Sequence, residues 1–237
     1  MRAKILVLGS GSVEMIDPKG YERIYCANTS FTRLEHQTFP SLVISDALFF
    51  DEETLNKHPS IDGLSRKESN EFRLKKYNLL RNLDLKDISV FRSNENINIK
   101  KSIESRNINS KKVKIFDFKD LWKLYLEIFS LKLIVKKIFF RLNFINKTKF
   151  LIQFFFRLRM STFFRPSLGV ISIMLALKEN PDGIIHINGI NIYNDGVRVA
   201  KYEGVDKELT YLSNIHQLDS LYVEIIKQNR GLVVIED

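Results

Sequence analysis

Cysteine is almost missing from this chain. Of 237 residues only Cys26 carries a thiol, so no internal disulfide can form. A lone cysteine fits a reducing compartment and the role of a small buried hydrophobe. Long apolar runs are missing too. No stretch reaches the roughly 18 uninterrupted apolar residues that a membrane-spanning helix needs. The first apolar run ends in Gly9-Ser10-Gly11-Ser12 rather than at a cleavage site, so no secretory signal is expected. The expected location is cytoplasmic, with peripheral attachment at the inner face of a membrane left open.

What is present fits a folded domain. Apolar residues make up 44% of the chain, too many for a disordered one. The length suits one α/β domain with a substantial core. The net charge of +9 is unevenly spread. Residues 119–159 hold ten Lys and Arg against Asp120 and Glu127, an excess of eight. The partner of such a segment is expected to be anionic.

Residues 3–8, Ala-Lys-Ile-Leu-Val-Leu, read as a strand buried on both faces. Val13–Asp17 reads as a short helical turn stopped near Pro18. Strands are expected at 23–27, ending at Asn28, and at 42–45, followed by a helix start at Leu48-Phe49-Phe50. Residues 60–112 are polar and read mainly as helices and loops, with a strand at 113–116. Residues 119–159 read as helical, so 60–160 is expected to be a helical insertion or lid within a single domain of residues 1–237.

Beyond Pro166 the signals sharpen. Pro166-Ser167-Leu168-Gly169 opens an apolar helix over 170–177. Pro181-Asp182-Gly183 is a turn, and 184–187 a strand followed by Asn188-Gly189. Asn194-Asp195-Gly196 predicts a tight turn that pairs 191–193 with 197–202. A helix over 218–228, capped by Gly231, and a closing strand over 232–235 complete the chain. The alternation predicts a doubly wound, mostly parallel, Rossmann-like sheet carrying an inserted basic helical segment. Ligands bind such sheets beyond the carboxyl ends of the strands.

Gly9–Ser12 lies at such an end. Glycines there let backbone approach an anion, but they also serve a plain strand-to-helix turn. A dinucleotide fingerprint is poorly matched: Glu14 holds the third glycine position, and Asn28 ends the second strand where an acid belongs. A P-loop is excluded because no Gly-Lys-Ser/Thr follows.

Several segments together resemble the sialyltransferases. Val7-Leu8-Gly9-Ser10-Gly11-Ser12, Ile16-Asp17 and Tyr25-Cys26-Ala27-Asn28 are similar to that family's first motif. Pro166-Ser167-Leu168-Gly169, the apolar helix after it, the strand and Gly189 resemble the second motif of the animal enzymes. Asn188-Gly189-Ile190-Asn191-Ile192-Tyr193 and Ser45-Asp46-Ala47-Leu48-Phe49-Phe50 resemble segments of small bacterial members. The matched stretches, about 4–50 and 163–226, leave the middle of the chain uncovered. Asn191 stands where the bacterial pattern has Asp, and Leu168 where the animal pattern has Thr.

The resemblance implies a CMP-sugar donor. It assigns nucleotide contacts to Gly9, Ser10, Gly11, Ser12 and Asn28, and donor-site positions to Ser167, Gly169, Asn188 and Gly189. Tyr193 matches a tyrosine that holds the leaving phosphate, and Tyr202 a second one across the hairpin. His216 matches the general base that deprotonates the acceptor hydroxyl, a role suited to an imidazole at neutral pH. His36, His58 and His186 fall outside those motif positions. Asp219 and Glu224 follow His216 without the spacing of the animal enzymes. No Asp-x-Asp occurs, and a CMP-sugar has one phosphate, so metal-independent inverting transfer of an acidic sugar is expected. Sialic acid, a related nonulosonic acid and Kdo all remain open, with a glycan or glycolipid as acceptor. No separate cofactor is expected.

Residues 121–159 interleave Trp122, Tyr125 and eight phenylalanines with the basic residues. Such a segment suits a membrane interface. It equally suits a core helix or lid with a solvated basic face. Nucleic acid is not expected, since no recognised binding motif accompanies the charge. Two rival functions stay open: a pyrophosphokinase-like transferase of similar fold, and a noncatalytic basic binding protein.

Overall fold

The computed structural model describes residues 2–9, 14–35, 39–45, 65–91, 98–156, 158, 164–190, 197–202, 205–212, 218–230 and 233–236. Seven strands form one all-parallel sheet: β1 (Lys4–Leu8), β2 (Arg23–Ala27), β3 (Ser41–Ser45), β4 (Asp84–Phe91), β5 (Asn109–Phe116), β6 (Ile184–Asn188) and β9 (Val233–Glu236). Their spatial order is β5-β4-β3-β2-β1-β6-β9. The chain starts in the middle, steps outward to β5, then returns and steps the other way. The order therefore reverses between β1 and β6, the switch point of a doubly wound, Rossmann-like sheet. Two further strands, β7 (Val197–Tyr202) and β8 (Val205–Leu212), form a separate antiparallel hairpin.

The helices are α1 (Arg66–Leu79), α2 (Ile99–Ser105), α3 (Phe118–Leu133), α4 (Phe144–Phe155), α5 (Leu168–Glu179) and α6 (Asp219–Arg230). Strand periodicity divides the core in two. Ile5, Val7, Tyr25 and Val43 face one side, against α3, α4, α5 and α6. Leu6, Leu8, Ile24, Cys26, Leu42 and Ile44 face the other, with Leu80 after α1 and Ile99 and Ile103 of α2. Helix α5 is apolar all round, and Val170–Leu177 are buried without a break. At about 1.5–3 kcal/mol per large side chain, this one helix is a main source of stability. Cys26 is fully buried, and burial pushes its thiol up to about 12, so it is an inert core residue.

Four differences from the sequence reading have physical causes. Residues 60–160 are not a helical insertion, because β4 and β5 both lie in the main sheet. β4 was hidden by Asp84, Lys86 and Asp87. The buried Asp87 is neutralised from afar, accepting from Arg23 Nη2 at 2.7 Å and Ser41 Oγ at 2.9 Å. β5 is an edge strand studded with Lys111, Lys112 and Lys114, charges that suit an edge. Helix α3 is core rather than lid: Leu121, Trp122, Leu124, Tyr125 and Phe129 are buried.

Residues 14–17 are not helical. Ile16 instead bridges Leu34, its N–H donating to Arg33 O at 2.8 Å. Among the described residues β7 pairs with β8, and the expected pairing of 191–193 with 197–202 is not among them. Residues 191–196, with the Asn-Asp-Gly turn, lie outside the described residues, as do 46–50 and Gly231. Finally, α5 is capped by Ser167, whose Oγ accepts from the Val170 N–H at 3.3 Å, and Pro166 precedes the cap.

A polar cluster closes the amino-terminal edge of the sheet. Glu179, the last residue of α5, accepts from Tyr25 Oη at 2.7 Å, pairs with Arg23 Nη2 at 2.5 Å and accepts from Lys114. Burial alone would raise the Glu179 carboxyl. Hydrogen bonds from Lys114 and Tyr25 and the charges of Arg23 and Lys114 outweigh it and hold the group below its ordinary value. Burial and the Glu179 carboxylate push the Tyr25 phenol well up.

Candidate functional site at the switch point

β1 and β6 pair in register up to Leu8 and Asn188. The Gly9 N–H then donates to Asn188 O at 2.9 Å, extending the ladder past the carboxyl edge. The two chains meet closely there. A Cβ on Gly9 would lie 2.2 Å from Gly189 O. Gly189 has φ +64, and a Cβ on it would lie 2.2 Å from Arg33 Nη1. At the start of α5, a Cβ on Gly169 would lie 2.9 Å from Ile190 Cγ2. Each glycine is thus required by the approach of protein to protein. Together they draw the ends of β1 and β6 and the first turn of α5 into one place.

Beneath this junction lies Arg33, at the end of a 3-10 turn over Ser30–Arg33. Asn28 leads into the turn with φ 55, its N–H donating to Val43 O at 2.9 Å. Ser30 Oγ donates to Leu8 O at 2.9 Å and fixes the turn against β1. Arg33 is only 5% exposed. Its Nε donates to Glu14 O at 2.9 Å, Nη1 to Gly9 O at 2.9 Å, and Nη2 to Asn188 Oδ1 at 2.5 Å. All three acceptors are neutral oxygens, and among the described residues no carboxylate oxygen is ion-paired with it. Burial lowers the guanidinium from its usual value, while the Glu14 carboxylate and Cys26 act the other way. An arginine in a protein nevertheless stays charged. The switch point therefore carries a buried positive charge that its hydrogen-bond partners do not neutralise.

Two helices begin at the same edge, since α5 and α6 run antiparallel to the strands they precede. Helix N-termini favour anions through their free N–H groups and dipole. The Ser167 N–H donates to Oδ1 of Asp219 at 3.0 Å, and Asp219 is buried in the first turn of α6. Tyr222 Oη donates to Phe164 O at 2.6 Å. These two bonds tie the Pro166–Gly169 segment to α6. Asp219 is therefore a positioning residue for the start of α5.

Of the residues singled out in the sequence, Gly9, Ser167, Gly169, Asn188 and Gly189 come together at the switch point. Asn28 stands at the end of β2, next to β1. Tyr202 is the last residue of β7, in register with Val205. Ser10, Gly11, Ser12, Tyr193 and His216 lie outside the described residues, as do His36 and His58. His186 sits within β6, its ring edge-on to Tyr21 at 5.4 Å. Among the described residues no group of three or more His, Cys, Asp or Glu is placed to hold a metal ion. Arg33 escaped the sequence reading. An arginine in Thr29-Ser30-Phe31-Thr32-Arg33 carries no local mark that separates it from a surface residue.

No family model, no curated protein and no solved structure matches this chain.

Proposed function

We propose that this protein is a glycosyltransferase that moves an acidic sugar, sialic acid or a related nonulosonic acid or Kdo, from a CMP donor to a glycan hydroxyl. One observation carries the reading. Segments far apart in sequence, at Gly9, Asn28, Ser167–Gly169 and Asn188–Gly189, converge on one edge of the sheet at its switch point. These are the segments whose resemblance to sialyltransferases implied a shared nucleotide, and a shared ligand requires that they meet. The Arg33 charge, which its hydrogen-bond partners do not neutralise, and two helix N-termini favour a monophosphate at this edge.

In this reading the acceptor oxygen attacks the anomeric carbon from the face opposite the phosphate. A carbon–oxygen bond forms as the bond to phosphate breaks, and the electron pair leaves on CMP. The hydroxyl proton passes to His216. Tyr193 and Tyr202 donate hydrogen bonds to the departing phosphate, where negative charge grows. The configuration inverts, and no metal takes part.

The test is CMP release from a panel of CMP-sugars with a glycan acceptor, in the presence of a metal chelator. Turnover with at least one CMP-activated acidic sugar is expected. His216→Ala should abolish it while leaving CMP binding nearly intact. No turnover with any donor, together with a larger thermal shift from a magnesium nucleoside triphosphate than from CMP, would favour a pyrophosphokinase-like transferase instead.

A further inference from the structure

Among the described residues the exposed large hydrophobics are not scattered. Ten of them fall within residues 131–158, including Phe140, Phe144, Ile145, Ile152, Phe155 and Phe156. Phe144 is 83% exposed and Phe155 73%. Single exposed apolar residues are ordinary, but a contiguous group marks an interaction surface.

Helix α4 explains how the group forms. Its inward side is already used: Phe150 is buried, and Phe150 and Phe154 pack edge-on against Trp122 at 6.0 and 5.5 Å. At helical spacing, Ile145 and Ile152 fall on the opposite side, with Phe144, Leu151 and Phe155 beside them, and all five are exposed. Only Thr148 interrupts that face. Lys147 and Lys149 flank it, and the Lys147 ammonium lies over the rings of Phe139 and Phe140 at 5.5 and 5.9 Å. The helical run is broken upstream, at Ser130, where φ is 51 and ψ is 155. Phe129 before the break is fully buried, and Leu131 after it is mostly exposed.

We propose that the outward face of α4, with the segment from Leu131 that precedes it, is a docking surface for an anionic phospholipid bilayer. No helix among the described residues is long and apolar enough to cross a membrane, and α4 has only 12 residues. An apolar face with lysines on its borders lies in the interface plane, rings among the acyl chains and ammonium groups at the phosphates. Charge complementarity selects this partner over a second copy of the chain. No acidic residue occurs between Glu127 and Glu179, and Glu127 is paired with Lys178 at 2.6 Å. A two-fold contact sets the same patch against itself, and α4 brings lysines but no carboxylate of its own to it. Anionic headgroups supply the missing negative charge. None of the residues that form this surface is one of the switch-point residues, so the proposal holds whatever nucleotide binds there.

Vesicle flotation of the full chain tests it. One set of vesicles is phosphatidylcholine alone, and the other contains about one third phosphatidylglycerol. The protein should float with the anionic vesicles, and raised salt should weaken this. The double variant Phe144→Ser/Phe155→Ser should bind at least about tenfold less. Both positions are exposed, so its melting temperature and CMP binding should match the parent chain. The proposal is overturned if the parent chain ignores anionic vesicles, or if the variant floats as well as the parent. It is equally overturned if the parent chain is a dimer in buffer that the variant converts to monomer without either form binding vesicles.

Discussion

Arg33 Nη2 donates to Asn188 Oδ1 at 2.5 Å, joining the turn after β2 to the end of β6, with β1 between them. The same guanidinium holds Gly9 O and Glu14 O. One side chain thus fixes three chain segments at the switch point and brings a buried positive charge to it. Removing it strands three acceptors. Arg33→Gln should destabilise the fold by about 3 kcal/mol, because buried acceptors that lose a charged donor cost more than neutral ones. Arg33→Lys keeps the charge but not the fork, and should recover only part of that loss. Urea denaturation of the three proteins measures this. Equal stability of Arg33→Gln and the parent chain would remove the strut from the account.

The glycines give a graded series. Gly9→Ala places a methyl 2.2 Å from a backbone oxygen that cannot swing aside. Gly189→Ala meets Arg33 and must also hold φ +64. Gly20 has φ +89, but nothing lies within 4 Å of the new methyl. The first two substitutions should cost about 3 kcal/mol or more, and Gly20→Ala about 1 kcal/mol from backbone strain alone. Thermal melts rank them, and Gly20→Ala proving the worst would invert the argument.

Glu179 makes stability depend on pH with a defined sign. Its folded-state carboxyl is held below the ordinary value by Lys114, Tyr25 and Arg23 against the opposing effect of burial. The contribution is therefore complete above the unfolded carboxyl value and is lost as pH falls through the folded one. Glu179→Gln should cost about 2 kcal/mol near neutrality, since it leaves Arg23 and Lys114 short of their partner. The difference between variant and parent should shrink as the solution is acidified. A gap that stays constant between neutral and acid denaturation curves would show that Glu179 is not the titrating group.

How much was legible in the sequence follows from how local each signal was. Ile5–Leu8 declares itself as a continuous apolar run and Ile184–Ile187 as one broken only by His186, because strands covered on both faces are apolar at nearly every position. The start of α5 is legible because Ser167 caps it within three residues. β4 was hidden because its buried Asp87 is balanced by Arg23, 64 positions away. Arg33 was hidden for the same reason, its partners Gly9 and Asn188 lying 24 and 155 positions off. Long-range polar pairing leaves no periodic trace. The glycines were legible as special positions. Their cause was not, since the atoms that exclude a side chain come from distant segments.

The central claim is that the carboxyl edge at β1 and β6 receives the nucleotide, and backbone amide NMR with unlabelled CMP and a chelator tests it most directly. Shifts should concentrate at Gly9, Asn28, Gly169 and Gly189, and should saturate with CMP. Shifts gathered instead around Tyr25, Lys114 and Glu179 at the opposite edge, or no shifts at all, would contradict the account.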